Sequence, residues 1–266
     1  MSPDPPATPS PPGPPGSALS WVDVGDGPLI TLVHGFGQTR DCWGPLVDRL
    51  AATHRCRLVD APGHGRSADV RADLWASGRM LLELAEDGAL LGYSMGARMA
   101  LHAALLDAPR GTRSLRGLVL VSGTAGIDAA DERARRRAAD ERLADRIEQL
   151  GVARFVEEWL AGPLFAQLPT WARFEDERRT NTPAGLAASL RDAGTGTQEP
   201  LWSRLGELEV PALVVTGDDD AKFTDLGRRL AAGLAGSVHA AMPGAGHSTH
   251  LESPEPTAER ILAFLG

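Results

Sequence analysis

Gly92-Tyr93-Ser94-Met95-Gly96 sets one serine between two glycines, directly after the apolar run Ala89–Leu91 and ahead of an Ala-rich helical pattern. Such a strand-to-helix turn exposes the serine hydroxyl from a strained backbone, and side chains at either glycine would block the close approach of neighbouring segments. An activated serine needs a base to take its proton and a carboxylate to orient that base. Two later loops supply these residue types: Thr216-Gly217-Asp218-Asp219-Asp220 and Gly244-Ala245-Gly246-His247. The chain order serine, aspartate, histidine singles out Asp220 and His247 as partners of Ser94, with Asp218 and Asp219 as acidic alternatives in the same turn.

Negative charge developing on a substrate oxygen needs backbone N–H donors from two directions. Met95, directly after the serine, supplies one. Phe36, in His34-Gly35-Phe36-Gly37, supplies the other, because Gly35 lets its loop fold close to Ser94. His34 and His64 read as braces of glycine-rich loops. Arg98 stands four residues after Ser94, on the same side of the helix that the elbow starts, where a plain esterase needs no guanidinium. Further cations cluster at Arg133, Arg135, Arg136 and Arg137, and at Arg178 and Arg179. Most such runs are solvated faces, yet one arginine from each could turn inward and bind a carboxylate bidentately. Among the aromatic residues that follow, Phe165 and Trp202 read as packing, and Trp159 as a pocket residue.

The elements that must position these groups follow from apolar patterning. Strands are expected over Ala18–Val24, Leu29–Val33, Cys56–Val59, the elbow run and Leu118–Ser122, with helices over Asp41–Ala52, Asp69–Asp87 and Met95–Asp107. Strands alternating with helices imply a mostly parallel sheet covered on both faces. Between Thr124 and Glu209 the pattern turns to helical segments rich in Arg and Glu, read as an inserted cap. Strand and helix signals then return at Pro211–Thr216, Asp225–Ala235, Ser237–Ala241 and Pro254–Leu265. The sheet-bearing core is therefore expected over 17–123 and 210–266, the cap over 124–209, and a disordered Pro-rich tail over 1–16. That tail holds eight of the twenty prolines and no basic residue, which does not suit a signal peptide.

A chain of 266 residues with 42% apolar content can bury a sizeable core. Its net charge of −8 argues against nucleic acid or an anionic membrane as partner. Two cysteines, Cys42 and Cys56, make no disulfide framework, and no run is long enough to span a membrane. A cytoplasmic protein acting on a small molecule is the expectation.

With these residues in view, the sequence resembles the α/β-hydrolase superfamily through His34-Gly35-Phe36, Asp60-x-Pro62-Gly63-His64-Gly65, the elbow, Asp220 and His247. More narrowly it resembles the 2-succinyl-6-hydroxy-2,4-cyclohexadiene-1-carboxylate synthase family of menaquinone biosynthesis. The narrower marks are Gly-Tyr-Ser-x-Gly-x-Arg ending at Arg98, Trp159 followed by Pro163-Leu164-Phe165, and Arg179-Thr180-Asn181. Gly194-Thr195-Gly196-Thr197-Gln198, Asp220-Ala221-Lys222-Phe223 and Ala245-Gly246-His247 complete them. The resemblance implies an α/β-hydrolase fold, with a helical cap inserted after the sixth strand. It also implies a lyase that eliminates pyruvate from a polycarboxylate cyclohexene, with no metal or organic cofactor. Ser94 would act as a base, helped by His247 and Asp220, and the Phe36 and Met95 amides would form the oxyanion hole. Tyr93, Arg98, Arg136, Trp159, Arg179 and Lys222 would bind substrate, with Arg135 and Arg137 open as alternatives to Arg136. A carboxylester or carbon–carbon bond hydrolase with the same triad is the alternative, and a non-catalytic ligand receptor of the same fold is a third reading.

Overall fold

The computed structural model describes residues 18–108 and 115–266, so the segment expected to be a disordered tail lies outside the described residues. Among the described residues the apolar runs form seven strands: β1 Trp21–Val24, β2 Leu29–Val33, β3 Arg55–Val59, β4 Ala89–Tyr93, β5 Gly117–Val121, β6 Ala212–Gly217 and β7 Val238–Met242. The helices are α1 Pro45–Ala51, α2 Leu74–Ala85, α3 Met95–Asp107, α4 Ala130–Leu150, α5 Val152–Leu160, α6 Glu175–Arg179, α7 Pro183–Ala193, α8 Ala221–Gly233, α9 Thr249–Glu252 and α10 Pro254–Leu265. No described helix is long and apolar enough to cross a membrane.

The strands lie in the order β1-β3-β2-β4-β5-β6-β7, with β1 antiparallel to β3 and every other neighbouring pair parallel. Successive side chains on a strand face opposite ways, so the continuous apolar runs feed two cores. Leu90, Leu118 and Val214 pack with α2 and α3 on one face, while Leu91, Val119 and Val215 pack with α1 and α10 on the other. From β2 the chain steps outward to β3, and from β4 it steps the opposite way to β5. That reversal opens a crevice at the carboxyl ends of β2 and β4, the usual ligand position in such a sheet.

Helix boundaries follow caps more closely than apolar spacing. α1 begins at Pro45 rather than Asp41, because Gly44 at φ 57° lies outside helical space and Pro45 suits the first helical position. Asp73 starts α2 by accepting the Ala76 N–H at 2.7 Å. Asp220 does the same for α8 through the Phe223 N–H at 3.2 Å, moving that helix four residues ahead of its expected start. The helices α4 to α7 follow β5, so five described strands precede them rather than six. The runs at β1 to β5 account for every apolar strand signal in that half of the chain.

The elbow depends on backbone packing with no space for a side chain. A Cβ on Gly96 would run into the Val33 carbonyl, and one on Gly92 into the Gly96 carbonyl. Gly96→Ala should therefore cost about 3 kcal/mol or prevent folding, as forced overpacking does. Urea denaturation checks this, and a midpoint equal to that of the parent would contradict the packing argument.

Candidate active site

At the carboxyl end of β4, Ser94 adopts φ 52° and ψ −103°, a left-handed conformation that a non-glycine residue holds only at a cost of order 1–3 kcal/mol. Its N–H donates to the Val121 carbonyl at 2.8 Å, which fixes the turn against β5. Ser94 Oγ lies 3.1 Å from His247 Nε2, and His247 Nδ1 lies 3.0 Å from Asp220 Oδ2. With the carboxylate as acceptor, Nδ1 carries the proton and Nε2 is free to receive one from the hydroxyl. Burial alone would raise the Asp220 pKa, but the His247 and Phe223 hydrogen bonds, with Lys222 nearby, hold it below the ordinary carboxylate value. The neighbouring aspartates are occupied elsewhere: Asp218 accepts the Gly244 N–H at 2.7 Å, and Asp219 accepts from Gln167 at 3.1 Å.

The loop after β2 reaches this serine because Gly35 lacks a side chain. A Cβ there would stand 2.6 Å from the Tyr93 ring and 3.5 Å from Ser94 Cβ. Two buried histidines brace the loop. His34 Nε2 accepts the Ala61 N–H and His64 Nε2 accepts the Gly37 N–H, each at 3.1 Å. Met95 opens α3, where its N–H has no intrahelical acceptor. Phe36, on that braced loop, and Met95 both border the cavity that Ser94 lines.

A cavity of about 740 Å³ lies between this end of the sheet and the helices α4, α5 and α7. Arg98 lines it from α3, nearly buried, with Nη1 donating to the Ala193 carbonyl at 2.8 Å. Burial, reinforced by Arg136 and opposed by Asp140, lowers its pKa to about 10, so it stays cationic near neutrality. Along α4, Glu132, Arg136, Asp140 and Leu143 recur at helical spacing and face the same cavity. Arg136 is thus the member of its run that turns inward, held by Asp140 Oδ1 at 2.8 Å. Arg135 instead pairs with Asp131 in solvent, and Arg137 reaches the Gly196 carbonyl at 3.4 Å. Lys222 lines the cavity beside Phe223, its ammonium 5.7 Å from that ring.

A smaller chamber of about 30 Å³ adjoins Ser94 and His247 and is bordered by Tyr93, Trp159 and Arg178. Tyr93 is buried, and its hydroxyl bonds Ser248 Oγ at 2.7 Å. Here one expectation is corrected. Arg179 faces solvent and pairs with Glu175 and Asp176 at 2.8 and 3.2 Å. The inward residue is Arg178, 1% exposed, whose Nε donates to the Arg173 carbonyl at 2.7 Å and Nη1 to the Gly37 carbonyl at 3.3 Å. Adjacent residues of a helix point about 100° apart, so only one of the two can face the core. The acidic residues three and four positions before Arg179 hold it outside. Arg98 and Arg178 pair with no carboxylate among the described residues, and burial lowers the pKa of both.

His247 is also fixed through its backbone by residues that motif reading passes over. Ser122, itself at φ 49°, donates its hydroxyl to the His247 carbonyl at 2.7 Å. Glu252 straddles the histidine, one carboxylate oxygen accepting the Gly246 N–H and the other the Ser248 N–H at 3.1 Å. The only sequence signal for this is a glutamate five residues beyond the histidine. Glu252→Ala should slow sulfonyl fluoride labelling of Ser94 about tenfold, since a misplaced base forfeits general-base catalysis. Labelling at the parent rate, read by intact-protein mass, would count against the clamp.

The buried braces carry a pH consequence. Burial holds His34 to a pKa of about 4 and His64 to about 3, both below the ordinary 6.5. Below pH 6.5 the unfolded chain takes up protons that the native state refuses, so stability present above that pH is lost as pH falls towards 4. The urea midpoint should drop between pH 7 and pH 4.5, and a flat profile would contradict neutral buried imidazoles.

Residues 32–260 match the model of the Alpha/beta hydrolase family. The chain is 33% identical over 250 residues to a putative 2-succinyl-6-hydroxy-2,4-cyclohexadiene-1-carboxylate synthase of Bacillus subtilis (strain 168), covering 89% of each chain. Its fold is similar to that of MenH from S. aureus, with a TM-score of 0.83 at 28% identity over 92% of this chain and 97% of that one. A thermophilic esterase from Thermogutta terrifontis, with malate bound, gives a TM-score of 0.78 at 26% identity over 93% and 92%. The sheet, the elbow and these likenesses lead to one assignment: the chain belongs to the α/β hydrolase family and, within it, to the 2-succinyl-6-hydroxy-2,4-cyclohexadiene-1-carboxylate synthases.

Proposed function

We propose that this enzyme eliminates pyruvate from 2-succinyl-5-enolpyruvyl-6-hydroxy-3-cyclohexene-1-carboxylate and releases 2-succinyl-6-hydroxy-2,4-cyclohexadiene-1-carboxylate. The observation that carries the reading is a pair of buried guanidiniums, Arg98 and Arg178, beside the serine with no carboxylate partner among the described residues. A buried unpaired cation is costly, and an anionic ligand repays that cost with charge-assisted hydrogen bonds. With Arg136 on the cap face, three guanidiniums meet a substrate that bears succinyl, ring and enolpyruvyl carboxylates. Lys222 adds a fourth cation on the cavity wall, and Trp159 and Tyr93 border the substrate near Ser94.

Held in this way, the substrate offers Ser94 an acidic ring C–H in place of a carbonyl to attack. His247 takes the Ser94 proton, and Asp220 steadies the imidazolium. Ser94 oxygen removes the ring proton next to the succinyl carbonyl, whose oxygen gains negative charge facing the Phe36 and Met95 amides. Electrons return through the ring double bond, the bond to the enolpyruvyl oxygen breaks, and that group leaves to become pyruvate as it gains a proton. Positioning by the arginines supplies part of the roughly 7–11 kcal/mol that fixed geometry can contribute.

A carboxylester or carbon–carbon bond hydrolase would use the same triad but pass through a covalent acyl-serine. Pyruvate release, coupled to lactate dehydrogenase, should therefore occur with the enolpyruvyl substrate and vanish in Ser94→Ala. Accumulation of an acyl-enzyme without pyruvate would favour the hydrolase. Arg98→Ala and Arg178→Ala should each lower kcat/KM by ~100-fold or more, about 2.7 kcal/mol. Arg179→Ala should stay within about threefold, as expected of an exposed ion pair. Equal losses at 178 and 179 would contradict the arginine assignment.

A further inference from the structure

Gln38 lies in the loop after β2 and is 1% exposed. Its Oε1 accepts the Gly35 N–H at 3.1 Å, which settles which end of the amide is which, because a backbone N–H requires an acceptor. The other end, Nε2, is a buried donor with no acceptor among the described residues. Two more buried donors are in the same condition, Trp159 Nε1 and Arg178 Nη2. All three side chains border the same chamber of about 30 Å³, which touches Ser94 and His247. The rest of its wall comes from Phe36, Leu164, Phe165 and Tyr93, whose hydroxyl is taken by Ser248, and no Asp or Glu among the described residues borders it.

Buried donors without acceptors are rare in native proteins, and three around one small space mark a place for an acceptor-only group. A carboxylate head meets that description: it is planar, bears no donor when ionised, and has lone pairs enough for three N–H groups. The chamber is also tied to the oxyanion loop at two points. Gln38 accepts the N–H of Gly35, and Arg178 donates to the carbonyl of Gly37, so both neighbours of Phe36 are held by residues of the chamber.

We propose that Gln38 is a specificity-determining residue whose Nε2 donates to the same substrate carboxylate as Arg178. Through Gly35, this contact fixes the Phe36 amide when the carboxylate is in place. The inference rests on the reading of Arg178 as a carboxylate-binding residue, and extends it to a second donor and to a coupling with the oxyanion loop. A substrate lacking that carboxylate should lose turnover as well as affinity, because Gln38 and Arg178, which hold the two neighbours of Phe36, then lack the anion that fixes their side chains.

The test uses succinate to protect Ser94 against phenylmethanesulfonyl fluoride, a neutral reagent, so that no turnover is needed. Gln38→Glu keeps an oxygen for the Gly35 N–H but turns the free end into an acceptor that repels an anion. In this variant the succinate concentration giving half protection should rise at least ten times more than the unprotected labelling rate falls. Gln38→Met, which loses both polar ends, should weaken protection and labelling together. If protection and labelling fall in parallel in Gln38→Glu, the residue only braces the loop and the proposal is overturned. Unaltered protection in Gln38→Glu, with protection lost in Arg178→Ala, leaves the carboxylate site standing and removes Gln38 from it. Protection that survives both substitutions, or is lacking in the parent protein, overturns the carboxylate site itself.

Discussion

The site depends on one contact between backbones: the Cα of Gly96, in the first turn of α3, rests on the Val33 carbonyl at the end of β2. That approach brings the carboxyl ends of β2 and β4 together at the point where the sheet order reverses. Ser94 is held in a left-handed conformation on one side, and the Gly35–Gly37 loop folds towards it on the other. Every hydrogen bond of the Ser94, His247 and Asp220 line presupposes this geometry. Its strain is borne by neighbours with little freedom, since the strands on either side are fully buried.

Charge is distributed against the average. The chain carries a net −8, and its surface ion pairs, such as Arg191 with Glu141, Asp145 and Glu148, use up most exposed guanidiniums. Arg98 and Arg178 are left within the low-dielectric interior, where a cation acts on an anion much more strongly than in water. Buried Asp140 reaches Arg98 through its charge, but its two oxygens are occupied by Arg136 and the Gly196 N–H. It orients Arg136 and the loop after α7 without neutralising the two buried arginines.

What the sequence discloses divides along a physical line. Groups set by local backbone geometry are legible: the elbow by its glycines, His247 by its loop, and Asp220 because the last residue of the turn can cap α8 with one oxygen and reach the histidine with the other. Groups set by the direction of a side chain are not. Arg178 and Arg179 are chemically identical neighbours on a five-residue helix, too short for periodicity to reveal its inner face. On the 21-residue α4, by contrast, the spacing of Glu132, Arg136, Asp140 and Leu143 suffices to select Arg136 once the cavity is known. Glu252 and Gln38 escape notice for another reason. Each acts on backbone amides, and such contacts leave no motif of reactive residue types.

The helices inserted after β5 reach the reacting end of the sheet through hydrogen bonds to its loops. Asn181 accepts the Gly65 N–H at 2.8 Å and donates to the Gln38 carbonyl at 3.4 Å, while Arg178 holds the Gly37 carbonyl. The inserted helices therefore take part in setting the loop that carries the Phe36 amide, in addition to covering the cavity. A fold that keeps the same serine, histidine and aspartate can in this way change its chemistry by changing what lies above them. In the proposed reaction, residues on the insertion decide where a substrate carboxylate rests, and its position decides whether a carbonyl carbon or an acidic C–H meets the serine oxygen.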